Sequence, residues 1–209
     1  MAESPFKPHF FAREDESPDP DFYIEPRLLV HIDDGAIEAA RRLYAELLPD
    51  GGAFLDLMSS YRSHMPPGLR WSRLAGLGLN DAEMLRNDQL TEYTVHDLNA
   101  DPRLPYGDEE FDGVVVTVSV QYMTKPVETF REVCRVLRRE APFIVTYSNR
   151  MFPTKAVRIW RALDDRERAA LIAAYIKNAA GFGEITAQDR TDHDGPPGDP
   201  LFAVWARKL

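Results

Sequence analysis

DLNADPRLPYGDEEFDGVVVTVSVQYM, residues 97–123, is the stretch on which the fold turns. Its second half, FDGVVVTVSV at 111–120, is an almost unbroken apolar and β-branched run. A strand with one wet face alternates apolar and polar residues, so this run suits a central parallel strand covered on both faces. At ten residues it is far too short to cross a bilayer.

Outward from that strand, helices and strands alternate. Pro126 marks a helix start, Val127, Phe130, Val133 and Leu137 form its inward stripe, and APFIVTYS at 141–148 is the next strand, so a helical crossover joins two parallel strands. Upstream, Asp33 or Asp34 caps a helix carrying Ala36, Ala40, Leu43, Tyr44 and Leu47 on one face, and Pro49-Asp50-Gly51-Gly52 ends it. AFLDLM (53–58), RLAGLGL (73–79) and TEYTVHDL (91–98) read as further strands. Downstream, residues 164–179 form a helix with Leu171, Ile172, Tyr175, Ile176 and Ala179 inward and Gly181 at its cap. EITAQDR (184–190) and LFAVWAR (201–207), separated by GPPGDP, make an antiparallel pair. The expectation is a three-layer α/β, Rossmann-like sandwich with a mostly parallel seven-stranded sheet ending in an antiparallel hairpin.

A chain of 209 residues fits one domain, here 22–209. Residues 1–21 carry five acids in EDESPDPD and four prolines, which reads as a flexible acidic arm; Phe10, Phe11, Phe22 and Tyr23 make it a candidate lid. A net charge of −9 argues against a nucleic-acid surface. The single Cys134 cannot form an internal disulfide, and the N-terminus lacks the apolar core of a signal peptide, so a cytoplasmic protein without membrane contact is expected.

Asp97, Leu104-Pro105-Tyr106, Phe111-Asp112 and Arg135-Val136-Leu137 follow one another in an order and spacing that resemble the class I S-adenosylmethionine-dependent methyltransferases, particularly the small type 11 group. The resemblance covers roughly residues 50–150. It implies S-adenosylmethionine as cofactor, Asp97 and Leu98 at the adenine, and the strand end Ser119-Val120-Gln121-Tyr122 beside the methionine part and the acceptor. The family's glycine-rich first motif aligns on Asp56 to Arg62 and keeps only the acid. The acid that ends the second strand in the family is also missing: Gly78 stands there, followed by Leu79 and Asn80.

Three readings of the altered loop follow. In the first, Asp56, Met58, Ser59, Ser60 and main-chain N–H groups still cradle the cofactor, Arg62 meets its carboxylate, and Asn80 replaces the ribose-binding acid at a cost of about 1–2 kcal/mol. The protein is then a methyltransferase acting on a small molecule. In the second, the fold is a catalytically inactive binding or regulatory module, with Met58 and Tyr61 filling the pocket. In the third, a different enzyme binds an anion through Ser59, Ser60, Arg62 and His64. A dinucleotide enzyme fits less well, since it too needs the glycines.

Methyl transfer needs a base only where the nucleophile must lose a proton, and His64, just beyond the loop, is the candidate catalytic residue. His31 in HIDD reads as part of a helix cap, and without a second ligand cluster no metal is expected. The polar run SNRMFPTKAVRIW at 148–160 places Asn149, Arg150 and Lys155, with Tyr122, on the substrate side.

Overall fold

The computed structural model describes residues 6–209. Seven strands, β1 Gly52–Leu57, β2 Trp71–Gly78, β3 Glu92–Val95, β4 Gly113–Thr117, β5 Pro142–Tyr147, β6 Thr186–Asp189 and β7 Phe202–Arg207, form one sheet in the order β3-β2-β1-β4-β5-β7-β6. The first five are parallel, and β7 runs antiparallel to both β5 and β6. Strand order reverses between β1 and β4, and ligands of such sheets bind beyond the carboxyl ends at that point.

Side-chain alternation builds the layers. Leu55, Leu57, Val114, Val116, Phe143 and Val145 face a core shared with α4 (Pro126–Val136) and α6 (Asp165–Ala179), while Phe54, Leu74, Val115 and Ile144 face α2 (Asp34–Leu47). The caps follow the sequence: Asp33 accepts from the Ala36 N–H, Pro126 opens α4, and Asp164 with Glu167 forms a capping box on α6. The run at 111–120 is strand only to Thr117, because Val118 takes a left-handed φ of 45° and turns the chain into a 3₁₀ turn, Val120–Tyr122. Two further short helices, α3 Asp81–Met84 and α5 Arg158–Ala162, have no counterpart in the sequence pattern.

The acidic arm differs most from expectation. Its residues 1–5 lie outside the described residues. From Phe6 onward it is packed: Phe6 and Phe11 sit 4.9 and 6.2 Å from the ring of Tyr175 on α6. A short helix, α1 Asp19–Phe22, brings Phe22 to 5.6 Å from Phe152. Its acids are neutralised locally, as Asp19 receives Arg13 and, at 3.3 Å, Lys155. An acidic stretch reads as solvated only while its cations lie elsewhere in the sequence, and here the fold brings one of them in from residue 155. Among the described residues, no helix is long and apolar enough to cross a membrane.

Candidate active site

The carboxyl ends of β1, β2, β3 and β4 open into a cavity of about 430 Å³, within the range that holds small ligands. Its wall at the strand ends comes from Asp56, Met58, Gly78, Leu79, Asp97, Leu98, Thr117 and Ser119, and Asp19 of the arm together with Tyr23, Arg27 and His31 of the segment that follows it completes the lining.

The loop after β1 explains how the chain manages without the family's glycines. Met58 takes φ 61° and His64 φ 56°, left-handed values that glycine would adopt without strain. The glycine requirement has moved to the neighbouring strand: a Cβ on Gly78 would lie 2.1 Å from the carbonyl oxygen of Ser59. Ser59 and Ser63 donate to Asp56 Oδ2 at 2.6 and 2.7 Å. Ser60 donates to Glu83, Asn87 Nδ2 reaches the Ser60 carbonyl and Ser63 Oγ, and Gln89 brackets Met65 at both its N–H and its carbonyl. Burial raises Asp56 from 3.8 to about 6, against the lowering effect of the two serine hydroxyls.

The predicted site residues separate into groups. Asp56, Met58, Ser59, Ser60, Arg62, His64, Leu79, Asn80, Asp97, Leu98, Ser119, Tyr122, Asn149 and Arg150 all line the cavity. Within it Asp97 accepts from the N–H groups of Asn99 and Ala100, and Ser119 Oγ is buried without a hydrogen-bond partner among the described residues. His64 is 8% exposed, and burial followed by the charges of Arg41, His31 and Arg62 lowers it to about 4, so its imidazole is neutral at physiological pH.

Four placements depart from expectation. Arg62, expected to face a ligand carboxylate, stacks over Tyr61 at 4.2 Å and pairs with Asp88 at 3.0 Å, because the loop's polar pairs turn its side chain outward. Asn80, expected at a ribose, caps α3 through its oxygen and donates to the carbonyls of Tyr23 and Ile24, just after the arm. Lys155, expected on the substrate side, is fully buried with its ammonium on Asp15, Asp19 and the Ser17 carbonyl at 2.6 Å, and does not line the cavity. Tyr61, expected as a plug, does not line the cavity and packs under the Arg62 guanidinium instead.

Sequence reading missed Tyr23, Arg27, Glu83, His96 and Phe152, all on the cavity wall. Only the aromatic pair at 22–23 carried a signal, since nothing local tells which loop an arm will cross. His31 was read as part of a helix cap; the cap is Asp33, and the His31 ring packs 5.4 Å from Phe152. No cluster of His, Cys, Asp or Glu among the described residues has the geometry of a metal site.

A family model described as a methyltransferase domain, type 11, matches residues 75–145. That span runs from inside β2 to inside β5 and includes Asp97 and Ser119. Over that span, about a third of the chain, the protein is similar to a type 11 methyltransferase domain. Solved structures agree on the fold. A chain from the complex of the Haloferax volcanii Trm112 methyltransferase activator with a methyltransferase aligns at 15% identity, TM-score 0.62, over 84% of this chain and 91% of that one. The [4+2]-cyclase SpnF aligns at 17% identity, TM-score 0.60, over 81% and 80%. A methyltransferase of Thermotoga maritima aligns at 14% identity, TM-score 0.57, over 84% and 90%. No curated protein matches the sequence.

The residues present fit S-adenosylmethionine. Asp97 with Leu79 and Leu98 can hold an adenine, and Ser119 Oγ offers an unpartnered polar atom in the same cavity. The ribose position lacks a free carboxylate, since Glu83 already receives Ser60 and the Arg27 N–H at 2.6 Å.

Proposed function

We propose that the protein is an S-adenosylmethionine-dependent methyltransferase acting on a small molecule, with a cofactor loop stabilised by polar side chains in place of glycines. One observation carries the reading: the cavity at the strand-order reversal is open and is lined by both Asp97 and Ser119, whose Oγ has no partner among the described residues. When bound, S-adenosylmethionine supplies a methyl group already activated on a sulfonium, so the chain's work is alignment and exclusion of water. Asp97 would accept from the adenine amino group, Leu79 and Leu98 would flank the ring, and Met58 would stand beside the amino-acid end, where the Ser59 N–H is not free because it donates to the Leu77 carbonyl at 2.8 Å. His64, neutral and facing the cavity, accepts a proton from an acceptor whose nucleophile must lose one. Tyr122, Asn149 and Arg150 line the acceptor side, and the arm acts as a docked lid.

The engagement of Asn80 by the segment just after the arm and of Arg62 by Asp88 favours a second reading, a methyltransferase-fold protein that binds without catalysing. The anion-enzyme reading is weakened, because three of its four donors, Ser59, Ser60 and Arg62, are engaged by protein acids and only His64 is left. Calorimetric titration with S-adenosylmethionine and S-adenosylhomocysteine tests the proposal. Saturable binding of both is expected, and binding of neither would refute it. Cofactor binding with no S-adenosylhomocysteine formed from any acceptor would favour the non-catalytic reading.

A further inference from the structure

Three arginines line the cavity, and two of them have acids nearby: Arg62 pairs with Asp88 at 3.0 Å, and Arg150 approaches Asp199 at 3.9 Å. Arg27 forms no ion pair among the described residues. Its guanidinium carbon lies 4.8, 5.3 and 5.1 Å from the ring centroids of Phe22, Tyr23 and Phe152. Nη2 donates to the Phe22 carbonyl at 3.0 Å, whereas Nη1 is buried and has no hydrogen-bond partner among the described residues. The neighbouring acids are engaged. Glu83 receives Ser60 and the main-chain N–H of Arg27, and Asp19 receives Arg13, Lys155 and Asn99.

A guanidinium withdrawn from water without a counter-ion is costly, and the three rings offset only part of that cost. The rings also fix the plane of the fork, and with Nη2 held by the Phe22 carbonyl, Nη1 is the buried donor left for an anion that displaces the packing around it. Because the chain as a whole carries −9, an anion is not drawn in by the overall field and must be recognised locally. Beside the guanidinium, Phe152 stacks on Tyr122 with centroids 6.0 Å apart at 29°, and both rings line the cavity, giving that part of its wall an aromatic character.

We propose that Arg27 anchors a carboxylate of the methyl acceptor, and that the acceptor is a small carboxylic acid with a flat, apolar body. This deepens the methyltransferase reading and rests on it. Arg27 is a binding residue here; the methyl group goes to a different atom of the acceptor.

Titration of the S-adenosylhomocysteine-saturated protein, and of the protein alone, with benzoate and with its uncharged isostere benzamide tests the anchor. Benzoate should bind saturably and about tenfold or more tighter than benzamide, the preference expected for a charge-assisted contact. Arg27→Gln should weaken benzoate about tenfold to a hundredfold while leaving benzamide and S-adenosylhomocysteine unchanged. Arg27→Lys keeps the charge and much of the stem, so it should fold even where the glutamine variant does not, and should bind benzoate with intermediate affinity. Equal binding of benzoate and benzamide by the unaltered protein would overturn the proposal, as would benzoate affinity indifferent to both variants. Weakened S-adenosylhomocysteine with unchanged 5′-methylthioadenosine, which lacks the carboxylate, would also overturn it, because the carboxylate served would then be the cofactor's. Benzoate binding that depends on Arg27 while neither cofactor ligand binds would support the carboxylate anchor and remove the methyltransferase reading instead.

Discussion

Asp56→Asn removes a titrating group from the centre of the altered loop while keeping an oxygen acceptor for the hydroxyls of Ser59 and Ser63. Burial lifts the Asp56 carboxyl from 3.8 to about 6, and the two serines oppose the lift without cancelling it. Between those values the folded protein keeps a proton that the unfolded chain has released, so stability falls as pH rises across the interval. Above about 6 the ionised carboxylate is a standing cost of about 3 kcal/mol, two pH units at about 1.4 kcal/mol each. With Asp56 only 2% exposed, solvent screening scarcely reduces that figure. The variant should therefore match the parent near pH 4 and exceed it by about 1–3 kcal/mol near pH 7.5. His64 slopes the other way: held down to about 4 by burial, it favours the fold above its unfolded value of 6.5 and loses that contribution as pH falls. Both proteins contain His64, so subtracting their stabilities cancels it. Urea unfolding from about pH 4 to 7.5, followed by fluorescence, gives the difference. A difference flat in pH, or a variant less stable near neutrality, would show that Asp56 is an ordinary ionised carboxylate and that the serine network is more than a partial offset.

Gly78→Ala places a Cβ 2.1 Å from the Ser59 carbonyl and should cost about 2–3 kcal/mol or more in chemical unfolding; a neutral substitution would mean that the loop can retreat. Lys155→Met leaves Asp19 and Asp15 without their buried ammonium, and a loss of about 3 kcal/mol should lower the melting temperature by roughly 5–10 °C. An unchanged melting curve would show that the arm is held by its aromatics alone. Arg62→Met breaks a surface pair with Asp88, so stability should change by less than about 1 kcal/mol and S-adenosylmethionine affinity by less than about threefold. A loss of about tenfold or more in calorimetry would show that Arg62 swings to the ligand. Asp97→Ala should weaken adenine-containing ligands by about 1.5–3 kcal/mol while sparing homocysteine, and equal losses would make Asp97 a support of its own turn.

Legibility followed range. The apolar run of β4, the Asp33 cap and the stripe of α4 are set by residues within a few positions of one another, and all three elements stand in the structure, though β4 stops at Thr117 where Val118 turns left-handed. The sequence could put Asp97 and Ser119 beside the cavity because each follows a parallel strand by two residues, and the carboxyl ends of such strands converge on one crevice. Arg62 was not, because its partner Asp88 lies 26 residues away and nothing in SSYRSH points to it. Lys155 failed for the same reason: a basic residue in a polar loop looks solvated until the arm's Asp15 and Asp19 close over it.

The sequence by itself determined the alternation of strands and helices, hence the sheet, its covered faces and the crevice beyond β1 and β4, because hydrophobic period and capping act locally. Only the tertiary structure decided how the glycine-poor loop is held and what else lines the cavity. Close approach can be met from either side of a contact, and here Gly78 on β2 meets it for Ser59. Side chains brought from residues 19 to 31 and 83 to 89 then complete a site whose own loop names only half of it.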